Sequence, residues 1–495
     1  MTPPRLSLAT WHERQRSPLP EHVRGPAVDP AALTVGQVHL GLGAFHRAHQ
    51  SVYTEDAAAA TGETGWGVLG VTQRSARVAE QLDPQDGLYG VLTAGADATS
   101  LRLVGSLRQV AFPGRQTPVV LDALAAPTTH VVTLTVTEKG YRRGPDGGLD
   151  LTDPDVQADL AAAAADSDEP ARTPVGLLVR GLVRRAKGAG TPLTVVCCDN
   201  LVDNGRVLAR LVAQALDASP ALAPVGAWAQ DAVRFPCTMV DRIVPATTDA
   251  HRARATDLLG LHDEGLVVGE PFTQWVVEDR FAGPRPAWER AGATLTHDVA
   301  PYERAKLRVL NGTHSALAYL GALRGHATIA QAVADPDLAE LARRYVDDDV
   351  LPTLVAPDGT DLAAYRDDVL TRFANPATGH TTVQVAMDGS QKLPLRLLST
   401  AADRLAAGAV PHVAAVVLAG WVAYVRAASA GELVVAGRTV PLDDPAAAVL
   451  AEATRGTPEQ AVDGVLALRD VVPAAVGEHP GFRAEVVSAL HEHTS

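Results

Sequence analysis

The chain has 495 residues, enough for two or three domains and at least one large core. Hydrophobic residues make up 46% and charged residues 20%, a globular balance that excludes a disordered chain. With 57 acidic against 43 basic side chains the net charge is −14, which repels phosphate backbones and argues against nucleic acid as a partner. Residues 1–34 are rich in Pro and Arg and read as a lead-in segment. Residues 34–40 predict a short strand, GLGAFHRAHQ a Gly-rich turn, 51–60 a helix and 66–71 a second apolar strand. A β-turn-α-β unit of this kind points to a parallel sheet.

Residues 87–112 alternate in a β-like manner and predict an inserted hairpin. The continuous β-branched run at 129–137 predicts a buried strand. The Ala-rich stretch 159–172 reads as an exposed helix end and loop. A helix is expected over 175–187, stopped by Gly188, with Lys187 as its C-terminal cation. A buried strand at 193–197 and a helix at 205–216 follow. Beyond about residue 298 helical patterns dominate, at 302–323, 327–346, 360–374, 411–427 and 458–471. The expected organisation is a lead-in at 1–34, an α/β domain over 35–297 and a mostly α-helical domain over 298–495.

Cys197, Cys198 and Cys237 form neither a disulfide framework nor a zinc spacing. They read as core thiols of a protein from a reducing compartment, the cytoplasm. No apolar stretch resembles a signal peptide, and no apolar run of about 18 residues is evident, so no membrane partner is expected. His46 and His49 flank Arg47 with no carboxylate or thiol nearby in sequence, so no metal site is expected. Trp275 and Trp288 read as packing residues.

Gly41-Leu42-Gly43 stands between a strand and a helix, the position of a dinucleotide-binding turn. The third glycine of G-x-G-x-x-G is replaced by His46, so the motif alone fits a plain strand-to-helix corner equally well. After the second strand the chain reads Thr72-Gln73-Arg74-Ser75-Ala76-Arg77, without the acidic ribose ligand of an NAD site. Arg74 and Arg77 read either as partners of a 2′-phosphate or as solvated side chains. Glu138 and Lys139 follow the strand at 129–137, where open α/β sheets bind ligands. They read either as groups near the nicotinamide or as a local ion pair.

Only four of the 43 basic residues are lysine: Lys139, Lys187, Lys306 and Lys392. A lysine kept in so arginine-rich a chain hints at a role arginine cannot fill, because only lysine loses its proton when desolvated. Lys306 shares a helical pattern with Asn311 and His314. On an α-helix Asn311 lies about 140° and His314 about 80° round from Lys306, so all three can face one cleft without forming a narrow stripe. A lysine there could take an alcohol proton, while an amide and an imidazole stabilise charge on the oxygen. Three polar surface residues of an amphipathic helix would read the same way.

Seven stretches occur in order: HLGLGAFHRAHQ (39–50), LTVTEKGY (134–141), CCDNLVDNG (197–205), FPCTMVDRIVP (235–245), EPFTQWVVED (270–279), KLRVLNGTHSALAYLG (306–321) and MDGSQKLP (387–394). In these the chain resembles the polyol-specific long-chain dehydrogenases, the mannitol dehydrogenase family. The resemblance implies a Rossmann-type N-terminal domain with a mainly parallel sheet, a mostly α-helical C-terminal domain and an active site between them. It implies metal-independent NAD(P) chemistry, with NAD as the expected cofactor and NADP not excluded. The family's catalytic lysine falls on Lys306, and its oxygen-binding pair on Asn311 and His314. Its substrate contacts fall on Asn200, Asp241, Arg372 and Lys392, and its cofactor contacts on Gly41, Gly43, Ala44, Phe45, His46, Arg74, Glu138 and Lys139. NAD-preferring members carry an acidic residue soon after an Arg-Ser pair, whereas Ala76-Arg77 stands here, so strict NAD preference is not implied.

Within the family these motifs are more similar to the fructuronate reductases than to the mannitol 2-dehydrogenases. That implies a C6 sugar acid as substrate, with a polyol as the alternative and the shorter mannitol-1-phosphate 5-dehydrogenases further off. A non-catalytic dinucleotide- or sugar-binding protein is the rival from another class, opposed by the intact Lys-Asn-His set. A monomer or a small homo-oligomer is expected.

Overall fold

The computed structural model describes residues 3–95 and 98–494. The chain divides into two compact units, Met1–Val299 and Ala300–Ser495.

The first unit is built on six parallel strands: β1 (Val35–Leu40), β2 (Gly67–Val71), β3 (Leu107–Ala111), β4 (Val131–Leu134), β5 (Leu193–Cys197) and β6 (Val233–Arg234). Their order across the sheet is β3-β2-β1-β4-β5-β6. This is the doubly wound dinucleotide-binding order, with its switch point between β1 and β4. Every residue of β2, β4 and β5 is buried. Their unbroken apolar runs suit strands covered on both faces. The cover comes from α1 (Ala44–Ala48), α2 (Gln50–Thr61), α3 (Pro113–Ala125), α4 (Pro174–Lys187) and α5 (Asn204–Asp217). The register aligns Leu40 with Val71 on one side and Leu134 on the other, and Leu134 with Cys197. The carboxyl ends of β2, β1, β4 and β5 therefore lie in one row.

Several expectations change in this unit. The segment at 87–112 is not one inserted hairpin. Tyr89–Ala94 and Thr99–Val104 pair antiparallel, whereas β3 joins the main sheet beside β2. The hairpin tip at residues 96 and 97 lies outside the described residues. The lead-in is packed: Leu6 and Trp11 are buried, and Val23–Arg24 pairs with Thr99–Val104. The stretch after 159 is not simply exposed. Asp159 is buried against Arg180 at 3.5 Å and accepts the Thr173 N–H at 2.7 Å, so it ties the loop to the start of α4. Lys187 ends α4 and pairs with Asp166 at 3.1 Å. Trp275 and Trp288 are fully buried with ring centroids 4.5 Å apart.

The second unit is mostly helical. It includes α6 (Ala300–Ala305), α7 (Gly312–Leu323), α8 (Leu362–Phe373), α9 (Gly389–Leu393), α10 (Ser399–Ala406), α11 (His412–Ala430) and α12 (Pro480–Thr494). Three segments wind as π-helix: Lys306–Asn311, Tyr345–Val350 and Pro394–Leu398. The helix expected over 302–323 is therefore interrupted at its most interesting point. The one expected over 327–346 is broken at Pro336, where Asp335 accepts the N–H groups of Asp337 and Leu338 and caps a new helix. α11 corrects the hydropathy reading. It has 19 residues and a mean hydropathy of 1.6, long and apolar enough to cross a membrane by those measures. Most of it is buried in this unit's core, around Leu418, Trp421 and Val422, and Gly431 ends it at φ +71°.

Candidate active site

The cofactor end of the first unit is shaped by its main chain. Gly41 follows β1 with φ +96°, and a Cβ there would stand 2.2 Å from the Thr135 carbonyl oxygen. Its glycine is required by the fold itself. At Gly43 the nearest atom to an added Cβ is 3.7 Å away, so nothing inside the protein demands a glycine. A bare backbone with space beside it is what the approach of a pyrophosphate requires, and the residues present fit a dinucleotide. Ala44 and Phe45 open α1, and Phe45 stacks on His49 with centroids 5.0 Å apart.

His46 turns inward. It is buried, stacks on His39 at 3.4 Å, and its Nε2 lies 3.0 Å from Ser51 Oγ. Burial, reinforced by His39, holds its pKa well below the ordinary value. Burial likewise pushes His39 down to about 3. His46 thus supports the turn from below as a neutral ring. His49 Nε2 lies 2.9 Å from the Gln274 carbonyl, so the two histidines serve separate contacts. Among the described residues no group of three or more His, Cys, Asp or Glu is arranged to hold a metal ion. Arg74 and Arg77 are exposed beyond β2.

Beyond β4, Glu138 and Lys139 are exposed and make no ion pair with each other among the described residues. Asp199, just beyond β5, is buried and accepts the N–H groups of Val136 and Thr137 at 3.0 and 2.8 Å. Sequence reasoning passed over Asp199, although it sits in the CCDN motif. Asn200 is the next residue and is exposed. Asp241 is buried at the end of another strand, Thr238–Asp241, opposite Gln274. The three cysteines are buried, and burial raises all three thiols.

In the second unit the π segment carries Lys306 at its first position and Asn311 at its last. The Gly312 N–H reaches back five residues to the Leu307 carbonyl. A π turn closes between residues five apart, so Lys306 and Asn311 come onto one face instead of lying about 140° apart. His314 follows Asn311 by three residues on α7 and shares that face. Lys306 and Asn311 are buried and His314 is half-buried. Asn311 Nδ2 and His314 Nε2 are buried without a hydrogen-bond partner. Such atoms are costly unless something meets them.

His314 stacks on Phe373, with centroids 4.6 Å apart, and on His380 at 5.4 Å. Burial, then the charges of His380, Arg396, Lys392 and Arg372, hold its pKa well below the ordinary value. Arg372 is buried at the end of α8. Lys392, on α9, donates to the Met387 carbonyl at 2.6 Å, and burial followed by the Arg396 charge lowers its pKa. Arg396 lies on the third π segment and was not singled out from sequence. Its Nη1 lies 3.3 Å from Ser315 Oγ, and its carbonyl accepts the Tyr345 hydroxyl at 3.0 Å. Gly312 permits that approach, since a Cβ there would be 2.8 Å from the same carbonyl. The four-residue spacing from Lys392 to Arg396 is the signal that could have found it.

Residues 35–290 match the family description Mannitol dehydrogenase Rossmann domain, and residues 298–494 match Mannitol dehydrogenase C-terminal domain. The chain belongs to the mannitol dehydrogenase family. As a member of the mannitol dehydrogenase family it is an oxidoreductase acting on CH–OH groups. It is 42% identical over 413 residues to the D-mannonate oxidoreductase of Escherichia coli K12, covering 82% of each protein. It is 40% identical over 479 residues to the uncharacterized oxidoreductase YeiQ of the same organism, covering 96% of this chain and 95% of that protein. Among solved structures, the Pseudomonas fluorescens mannitol 2-dehydrogenase ternary complex with NAD and D-mannitol aligns with a TM-score of 0.83 at 34% identity. That alignment covers 99% of this chain and 97% of the other.

Proposed function

We propose that this chain is an NAD(P)-dependent reductase of a C6 keto sugar acid, interconverting D-fructuronate and D-mannonate. The observation that carries the reading is the basic cluster of Arg372, Lys392 and Arg396 around His314, in a chain whose net charge is −14. A polyol brings only hydroxyls to such a cluster. A hexuronate brings a carboxylate, whose burial calls for charge-assisted hydrogen bonds. The similarity to D-mannonate oxidoreductase supports the same substrate class.

The dinucleotide would be held by Gly41, Gly43, Ala44 and Phe45, with His46 supporting the turn, Arg74 toward the adenosine ribose, and Glu138 and Lys139 toward the nicotinamide. NAD is the expected cofactor. No acidic side chain stands in the Thr72–Arg77 stretch to repel a 2′-phosphate, so NADPH competes as well. When bound, the nicotinamide supplies the hydride that reduces the ketone. Lys306 delivers the proton to the substrate oxygen in reduction and takes it from the hydroxyl in oxidation. Asn311 Nδ2 and His314 Nε2 donate to that oxygen and stabilise the charge developing on it. His314 does so as a neutral imidazole. Asn200 and Asp241 bind flanking hydroxyls, and Arg372, Lys392 and Arg396 take the carboxylate end. The buried free thiols suit a reducing compartment such as the cytoplasm.

The test is a set of initial rates of NADH and NADPH oxidation with D-fructuronate and, separately, D-fructose. Fast turnover of the keto acid and little of the ketose is expected. The reverse result would make the chain a mannitol 2-dehydrogenase and the basic cluster a set of hydroxyl ligands.

A further inference from the structure

One buried charge at the cofactor end of the first unit has no cation beside it. Asp199 Oδ2 accepts the Val136 N–H at 3.0 Å and the Tyr141 hydroxyl at 2.5 Å. Oδ1 accepts the Thr137 N–H at 2.8 Å. Among the described residues no Arg or Lys pairs with it. The Asp199 backbone is itself clamped, because Asn204 Nδ2 donates to its carbonyl at 3.0 Å and to the Thr238 carbonyl at 2.9 Å.

The residue it holds is strained. Thr137 sits at φ +70° and ψ 156°, where an L side chain is unfavourable and only a surrounding network keeps it. Two residues earlier, Thr135 Oγ1 donates to the Gly41 carbonyl at 3.1 Å. A continuous path of hydrogen bonds thus joins the ends of β1, β4 and β5, on both sides of the sheet's switch point. The residue after Thr137 is Glu138, and the residue after Asp199 is Asn200.

We infer that Asp199 is a positioning residue: its carboxylate holds the strained Val136–Thr137 turn beyond β4 in the shape the nicotinamide ring requires, and fixes Asn200 from the same backbone. The inference rests on the oxidoreductase reading above. An amide at this position keeps one acceptor and turns a donor against the second N–H, so Asp199→Asn should release the turn.

The experiment compares Asp199→Asn, Tyr141→Phe and the pair Asp199→Asn/Thr137→Gly in NADH-dependent reduction of D-fructuronate, with NADH binding followed by fluorescence. Asp199→Asn should lower kcat/KM about 30-fold, with the KM for NADH raised and the isotope effect from 4-deuterated NADH enlarged. Tyr141→Phe keeps both N–H bonds and should change kcat/KM less than about 3-fold. Adding Thr137→Gly should restore part of the loss, because glycine adopts the positive φ without a clamp. A folded Asp199→Asn enzyme with unchanged kinetics and isotope effect overturns the inference, and so does a glycine pair that restores nothing. Hydrogen exchange of the unaltered chain over residues 135–141 reads the same question without a variant. Protection already present before NADH is added supports a preformed turn, and protection appearing only with NADH overturns it. If the unaltered chain neither binds NADH nor reduces any keto sugar, the functional reading has failed instead.

Discussion

The two candidate halves are shaped by different parts of the chain. At the carboxyl ends of β1, β4 and β5 the main chain does the shaping: Gly41 at φ +96°, an uncrowded Gly43, and Thr137 at φ +70°. In the second unit it is side chains, Lys306, Asn311, His314, Lys392 and Arg396, carried on or beside helix that winds as π. A dinucleotide presents the same phosphates and ribose to every enzyme that uses it, and backbone geometry suffices to meet them. A particular sugar needs particular donors, and an extra residue in a helical turn re-aims those donors without changing the helix on either side. The variants below test whether function divides along that line.

Lys306→Ala should have the largest effect. It removes the proton relay, so kcat should fall about 1,000-fold or more, while the Kd for NADH stays within about 3-fold. A near-normal kcat would take Lys306 out of the mechanism. On the other side of the comparison, two glycines two residues apart should behave oppositely. Gly41→Ala meets both the positive φ and the Thr135 carbonyl, and should cost about 3 kcal/mol of stability in urea unfolding. Gly43→Ala meets only the Gly41 carbonyl oxygen, at an ordinary contact distance of 3.7 Å. It should leave the Tm within about 2 °C and raise the KM for NADH about 10-fold. If Gly43→Ala destabilised the chain as Gly41→Ala does, the open space beside it would not be a ligand's.

Arg396→Gln sharpens the substrate side. Losing one charge-assisted hydrogen bond to a carboxylate costs roughly 1.5–3 kcal/mol, so the KM for D-fructuronate should rise about 10- to 100-fold. The slow reduction of D-fructose should stay unchanged, since it has no carboxylate to lose. Equal losses for both substrates would show that Arg396 supports the fold around Ser315 and Tyr345 and not the choice of substrate.

The sequence was most legible where structure is local and periodic. The strands around Gly41 and the helices at Val175 and Gly205 were readable from runs, caps and glycines, and the strand end then placed Glu138 and Lys139, whereas Asn200 came only from the family resemblance. β3 was misassigned to the hairpin because its alternation resembles that of its neighbours, and only pairing with β2 distinguishes it. The Lys306–Asn311 relation was misjudged for a different reason. A 100° step assumes α winding, and no residue in KLRVLN announces a π turn. Asp199 escaped notice because its partners are backbone N–H groups some sixty residues earlier in the chain. Arg396 escaped notice because no helical pattern was read over 389–398, and its neighbours Ser315 and Tyr345 lie some fifty to eighty residues earlier in the chain.

The smallest effect concerns pH, and it belongs to the backbone-shaped side. His39 lies under the cofactor turn, with Nδ1 2.7 Å from Thr133 Oγ1 and Nε2 3.0 Å from Thr135 Oγ1. Burial holds its folded pKa at about 3, against an ordinary value near 6.5. As pH falls below 6.5 the unfolded chain takes up this proton first, so the stability His39 contributes is complete above 6.5 and is lost between 6.5 and about 3. The buried carboxylates of Glu55 and Asp263 have the opposite sign, because burial raises their pKa values and the folded state protonates first. Their ordinary values lie near 4, so the histidine effect is cleanest above about pH 5.5. From pH 7.5 to 5.5 His39 should account for about 1 kcal/mol of lost stability. The difference in urea midpoints between the unaltered chain and His39→Gln, taken at both pH values, isolates it. The glutamine variant should be the less stable of the two at pH 7.5 and should close about that much of the gap at pH 5.5. An unchanged gap would mean that the ring takes up its proton over the same pH range folded and unfolded, and a gap that widens at pH 5.5 would mean that the folded ring is a cation, whose contacts to Thr133 and Thr135 would then have to be reassigned.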